Sequence, residues 1–357
     1  MKRNLLAIAI PALLVAGAAN ASIEIWNKDG NKLDLYGRVY ALNYLGDKGN
    51  TIDGEGDKTT ARIGFSGETQ VTDMLSGYGR FEWETHTGTD AENETRYAFA
   101  GLNFGEYGSI DYGRNDGVLK SLTAYTDVLP EWGGNASNNN FYLLSARTDG
   151  VATYRNSGLY GLVDGFDFAV QYADSKEIDP SITSPSVAQT LGKKEAYGMT
   201  AQYAILDTGL SVGAGYATST KAGDDERAKS WMAGVKYDAY DLYLAALYSH
   251  TSYGVSKVKG VELVAQYGID FEIGRLTPSL AYIQHKLNDA IVTNGGVSSL
   301  ASDYVAKYVE VGLQYDFNKN LTALVDYKIN LLDDDKGFGY SKADTKDTVA
   351  LGLIYQF

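Results

Sequence analysis

Beyond Ala21 this chain contains no run approaching the roughly 20 consecutive apolar residues that a membrane-crossing helix needs, yet side chains alternate with a period of two along much of its length. In "LDLYGRVYALNY", Leu33, Leu35, Val39 and Ala41 oppose Asp34, Tyr36, Arg38 and Tyr40. In "TARIGF", Ala61, Ile63 and Phe65 oppose Arg62, and in "SWMAGVKYDAY", Trp231, Ala233, Val235 and Tyr237 oppose Met232, Gly234 and Lys236. "YVEVGLQYDF" and the terminal "KDTVALGLIYQF" repeat the pattern, the latter placing Val349, Leu351, Leu353, Tyr355 and Phe357 on one face. Successive side chains of a strand point to opposite faces, so these segments are read as strands.

The two faces differ in a way that narrows the fold further. The polar face is often small or charged, and the apolar face ends in aromatics, as expected where the apolar side meets lipid. The 28 Tyr support this reading, because a tyrosine ring suits an apolar boundary while its hydroxyl stays wet. The 40 Gly allow tight turns and curvature, and only 5 Pro interrupt the ladders. Short turns are placed at residues 71–75, 103–107, 157–165, 206–209, 238–241, 268–275 and 317–320. Longer or more polar connections are placed at 46–58, 87–93, 115–148, 175–192, 221–226, 251–256, 286–302 and 330–345. Seven turns and eight loops join sixteen strands, each near the roughly 9–11 residues of a tilted crossing. The fold class expected is all-β, a 16-stranded antiparallel transmembrane β-barrel with both termini at the short-turn end. Such a barrel leaves no free edge and encloses more space than side chains fill, which implies a water-filled channel.

Residues 1–21 read as a secretory leader, with Lys2 and Arg3 before the apolar run Leu5–Ala19 and Ala19-Asn20-Ala21 as a small-x-small cleavage site. Residues 22–357 form one barrel domain. Without Lys2 and Arg3 the formal charge moves from −14 to −16, which disfavours nucleic acid as a partner. Cysteine is absent, excluding disulfides and thiolate chemistry. An enzyme is not expected: His86, His250 and His285 are the only histidines, and neither a nucleophile motif nor HExxH occurs. "GSIDYG" and "GKKEAYG" lack the strand–turn–helix setting of a phosphate loop, and no cofactor or metal cage is read from the sequence.

The stretches "NKDGNKLDLYG", "TRYAFAGL", "GSIDYGRNDG", "YTDVLPEWGG", "GVATYRNS", "YGLVDGFDFAVQY", "YDFNKN" and "DTVALGLIYQF" resemble the trimeric general diffusion porins of enteric Gram-negative outer membranes. The resemblance spans residues 22–357 and implies passive passage of small hydrophilic solutes and ions through a homotrimer in the cell outer membrane. It also implies that the third external loop, about residues 115–148, folds into the barrel as a constriction loop. Carried over to this sequence, the acidic residues of that loop are Asp127 and Glu131, and the basic residues of the facing wall are Arg38, Arg62, Arg96 and Arg147. The residue pattern alone places Arg38 and Arg62 on the polar faces of their strands, and Arg96 beside Tyr97 points the same way. Ordinary salt bridges in a lumen give an overlapping account of the same arginines.

Pro130, Gly133 and Gly134 are expected to fix the loop's bend, since proline restricts φ and glycine accepts angles other residues avoid. Trp132 stands where the familiar family form has phenylalanine and is read as a wedge against the wall. Arg80, Glu82 and Glu84 share an inward face as possible modifiers of the passage, and Glu94 stands where some relatives carry lysine. These changes oppose one another in sign, and the negative total charge leads to an expectation of weak cation preference. The second loop, 87–93, is shorter than in much of the family, leaving subunit contact to the apolar outer faces of early and late strands. The external loops offer surfaces for phages or toxins, and their acidic residues could join divalent cations to lipopolysaccharide phosphates. Two alternatives are weighed: a sugar-type specific channel using Tyr36 and Tyr40 as a stacking track, and an adhesin anchored by its barrel.

Overall fold

A computed structural model describes residues 22–87, 93–139, 143–174, 195–220, 227–294, 297–334 and 338–357. The leader expected over residues 1–21 lies outside the described residues. Sixteen strands form the barrel: β1 Asn31–Leu45, β2 Thr60–Gln70, β3 Ser76–His86, β4 Asn93–Asn103, β5 Ser109–Asp116, β6 Arg147–Ser157, β7 Phe166–Ala173 and β8 Ala196–Ile205 make one half. The other half is β9 Leu210–Ser219, β10 Lys229–Ala239, β11 Leu242–Tyr253, β12 Ser256–Tyr267, β13 Arg275–Asn294, β14 Val297–Asn318, β15 Leu321–Asn330 and β16 Thr348–Gln356. Each strand pairs antiparallel with its sequence neighbours, and β16 closes on β1 from Val349↔Leu45 to Gln356↔Arg38.

The closing strand shows how completely the backbone is satisfied. Below Arg38, the same edge of β1 is covered by the short segment Ile23–Lys28, whose Ile23 pairs with Leu35. Between the two, Gly37 and Phe357 exchange both backbone hydrogen bonds, at 2.9 and 3.0 Å. Hydrocarbon offers no alternative partner for such groups, so a spanning sheet must close in this way.

The faces have the inverted polarity expected from the alternation. Leu351 and Leu353 are 40% and 48% exposed on the outside, whereas Ala350 between them and the lumen is fully buried. Cross-strand register extends this into rows, such as Val235–Ala246–Leu263–Tyr282–Val309 on the outer face of β10–β14. Glu82, Glu262, Glu310 and Asp326 lie on inward faces, with almost no accessible surface. A water-soluble sandwich would distribute these side chains the other way round.

Two connections differ from expectation. Residues 251–256 and 286–302 were expected as loops, but β11 runs to Tyr253 and β12 begins at Ser256, while β13 and β14 reach 20 and 22 residues. Strands of that length outrun the membrane, so both faces of their outer ends meet water and the apolar alternation disappears. The β-branched run Ile291-Val292-Thr293 is the sequence signal for a strand here. A bulge between Leu287 and Ala290 accompanies a positive φ of 55° at Asp289.

If the outer row faces hydrocarbon, Leu263→Arg should lower folding stability in lipid by about 2–4 kcal/mol if the site lies near mid-bilayer, measured by denaturant unfolding from vesicles. A neutral effect would place Leu263 in water.

Candidate functional site

Between β5 and β6 the chain leaves the wall, turns into the barrel and carries two short helices, α1 Lys120–Thr123 and α2 Asn135–Asn139. Its neck is a narrow ladder, with Gly117 N–H donating to Ala146 O at 2.9 Å and Leu119 N–H to Leu144 O at 2.8 Å. Val118, Leu119, Leu122, Leu143 and Leu144 are buried against inward-facing Val151, Ala173, Ala196, Ala217, Met232 and Leu247. Small wall residues make that approach possible. A Cβ added at Gly213 would come 2.6 Å from Leu122, and one at Gly215 would come 2.7 Å from Leu119. Full burial of each leucine contributes about 1.5–3 kcal/mol, more than a typical single hydrogen bond, so these apolar contacts hold the loop's flank inside.

The tip is held differently. Pro130 lies against Gly312, where a Cβ would come 2.8 Å from the proline ring. The Glu131 N–H donates to Asp326 Oδ2 at 3.0 Å, and its carboxylate accepts the hydroxyls of Tyr40, at 2.5 Å, and Tyr44. Trp132 packs beside Tyr40, Leu42, Leu324 and Ala350, with its ring 5.5 Å from that of Tyr44 and the Lys328 ammonium 5.9 Å away. The indole therefore lies against the wall. Gly133 and Gly134 have φ of 125° and 61°, and a Cβ at Gly134 would come 2.7 Å from the Asp127 carboxylate. The tip's curvature thus needs these glycines.

Across the lumen, β1–β4 carry a network of mixed sign. Arg38 and Arg62 are direct cross-strand partners. Glu84 accepts from Arg62 Nε at 2.8 Å and from Arg96 Nη1 at 2.9 Å, and lies 3.9 Å from Arg38. Glu82 accepts from Arg96 Nε and Arg80 Nη2, both at 2.6 Å, and from the Tyr36 hydroxyl at 3.0 Å. Glu94 joins Arg96 and Arg147, each at 3.3 Å. With Arg114 3.8 Å from Glu94, six guanidiniums share these three carboxylates, and removal of one carboxylate would leave partly buried positive charge uncompensated.

A cavity of about 700 Å³ is bordered on one side by Arg38, Arg62, Arg80 and Arg96 and on the other by Asp127. Asp127 is exposed to this space. Loss of hydration inside the barrel, the leading cause, raises its pKa above the ordinary aspartate value; Lys120 opposes the shift and Glu262 adds to it. Glu131 and Arg147 stand back from this lining, Glu131 turned to the tyrosines and Arg147 at the first position of β6. Lys120, Lys236, Arg155 and Asp116 also border the cavity and were missed by the sequence reading. Lys236 was legible, since it shares the polar face of β10 with Met232 and Gly234, and Lys120 interrupts the apolar group Val118, Leu119 and Leu122.

The stacking track weighed for Tyr36 and Tyr40 is corrected by their burial, 5% and 6% exposed. Arg80 lies 5.1 Å from the Tyr36 ring centre and Arg38 lies 5.3 Å from that of Tyr40, while both hydroxyls serve carboxylates. Tyr36 borders the cavity and Tyr40 does not, and each ring carries an arginine rather than a bare stacking face.

The sequence pattern of the Gram-negative porin family matches residues 28–357. Outer membrane protein F of Serratia marcescens is 44% identical, and outer membrane porin C of Salmonella typhimurium 45%, each alignment covering all of both chains. Among solved structures, Salmonella typhi OmpF in complex with daunomycin is 36% identical with a TM-score of 0.77, covering 94% of this chain and all of that one.

The neck ladder yields a test. A Cβ at Gly117 would come 2.4 Å from the Leu144 backbone carbon, so Gly117→Ala should cost about 1–3 kcal/mol, drawn from loop placement rather than from the barrel. Open-channel current noise in planar bilayers should rise while folded mobility on unheated gels is retained. Unaltered noise would show that the neck tolerates the side chain.

Proposed function

This chain belongs to the Gram-negative porin family, and from that premise we propose how its lumen sorts what passes. It is an outer-membrane porin, a passive diffusion channel and not an enzyme. The proposed cargo is small hydrophilic solutes and ions. The observation carrying this reading is the cavity of about 700 Å³ bordered by Asp127 on the loop and by arginines on the wall. Opposed fixed charges create a field across the passage, which orients a dipolar solute and disfavours a purely apolar one.

A weak cation preference is part of the proposal. Each wall guanidinium has Glu82, Glu84 or Glu94 within 4.0 Å, whereas Asp127 makes no ion pair among the described residues. The formal charge of −16 on residues 22–357 acts in the same direction. Lys120 and Lys236 on the same cavity keep the preference weak.

The assembly proposed is a homotrimer, supported by the apolar outer surface of early and late strands, including Phe65 paired with Phe81 and the exposed Leu351 and Leu353. The short second loop contributes little to such a contact, and its residues 88–92 lie outside the described residues. The leader peptide belongs to the same proposal. Lipopolysaccharide is the proposed lipid partner at the long-loop end. There the outward rows change from Val235, Ala246 and Leu263 to Lys229, Lys257, Lys259 and Lys286, cations placed to meet lipid phosphates.

Reversal potentials in a salt gradient test the ion preference. Asp127→Asn should shift the potential toward anions, and Glu131→Gln should shift it less because its carboxylate is occupied by Tyr40 and Tyr44. Unchanged selectivity in Asp127→Asn contradicts the assignment. In the wild type, cation preference should decline as pH falls, beginning above the usual aspartate range, because the raised pKa of Asp127 means it takes a proton early. Asp127→Asn should remove that early phase.

A further inference from the structure

One carboxylate behind the loop holds both ends of its acidic tip. Glu262, on the inward face of β12, is 1% exposed. Its Oε2 accepts the hydroxyl of Thr126, and its Oε1 accepts the Ala136 N–H at 2.8 Å. Thr126 and Ala136 flank residues 127–135, the segment that carries Asp127, Pro130, Glu131 and Trp132. Other wall contacts hold single or adjacent points: Tyr243 donates to Tyr125 O at 2.6 Å, Gln266 to Val128 O at 2.8 Å and Tyr308 to Asn135 Oδ1 at 2.5 Å, while Asp326 Oδ2 accepts the neighbouring Glu131 and Trp132 N–H groups at 3.0 and 3.5 Å.

Glu262 is itself oriented from the neighbouring strand. His285 Nε2 lies 2.9 Å from Glu262 Oε1, and the imidazole is completely buried. The ring occupies space that exists because residue 260 is glycine, where a Cβ would come 2.2 Å from His285 Cε1. With Nε2–H donating to the carboxylate, the histidine fixes the rotamer in which the two carboxylate oxygens reach opposite ends of the tip.

We propose that Glu262 is the positioning residue for the tip of the inward loop, with His285 holding its carboxylate, so that the place of Asp127 in the passage is set by a pair that touches no solute. The proposal rests on the reading that Asp127 borders the passage. It differs from the apolar packing of the loop's flank, because a hydrogen-bonded carboxylate specifies direction as well as proximity.

Single-channel recording in planar bilayers tests it, with unheated-gel mobility as the check on barrel folding. Glu262→Ala should lose the single open level and show several sub-levels, with the barrel still folded. His285→Leu should do the same, whereas His285→Gln, whose amide N–H can still donate to Glu262, should retain the single level. A Glu262→Ala channel with one unaltered open level overturns the proposal, as does a His285→Gln channel indistinguishable from His285→Leu. If Glu262→Ala does not fold, the two His285 variants decide alone. Reversal potential separates this proposal from the selectivity reading: sub-levels without any shift keep the clamp and remove Asp127 from ion preference.

Discussion

A peptide group in hydrocarbon has no water to bond, so both edges of every spanning strand must find a partner strand. In this chain that demand converges on β1, whose outer edge is covered in turn by Ile23–Lys28, by Phe357 and by β16. Closure then dictates chemistry. Once the outside is lipid, the strand period of two sends the remaining side chains inward, so the lumen inherits the arginines, glutamates and glycines. Sixteen strands enclose more space than those side chains fill, and the remaining volume is shared by water and one inward loop.

That loop cannot rely on a conventional core. It brings its own leucines and meets a wall in which Ala and Gly positions allow close approach beside Val151, Met232 and Leu247. Its tip meets hydroxyls and carboxylates instead, with Glu131 on Tyr40 and Tyr44 and the backbone on Asp326. The division is physically sensible: apolar contact supplies most of the holding free energy, while directional hydrogen bonds decide where the charged tip comes to rest. Opposite the tip, Glu82 and Glu84 each bond several arginines, so the wall acts as a mixed array rather than as free positive charge.

The barrel was legible in the sequence because a strand's face follows from counting by two. Arg38, Arg62 and the Arg80–Glu82–Glu84 face could be placed inward without any knowledge of contacts, whereas Tyr97 and Phe99, read as the outer face, are buried inside, and Arg96 joins them there only because a bulge interrupts the count of two. Position within the loop could not be counted in this way. Glu131 reads like Asp127 in "TDVLPE", yet one is turned to wall tyrosines and the other borders the cavity. Lys120 was overlooked because a charge in an irregular segment has no assigned face. The long β13–β14 pair was read as a loop because its outer part lacks the alternation that identifies a strand in a membrane. Tyr36 and Tyr40 looked available for stacking because sequence shows their face and not the arginines that cover their rings.

The inverted polarity of the strands is the claim on which the channel depends, and the absence of cysteine makes it directly measurable. Single cysteines introduced at positions 199 and 201–204 of β8, where Gln202 and Ala204 border the cavity and Met199, Ala201 and Tyr203 face outward, can be challenged in lipid with a charged, membrane-impermeant thiol reagent. The account predicts labelling at 202 and 204 and protection at 199, 201 and 203. Labelling in the opposite phase, or without any period of two, would contradict it.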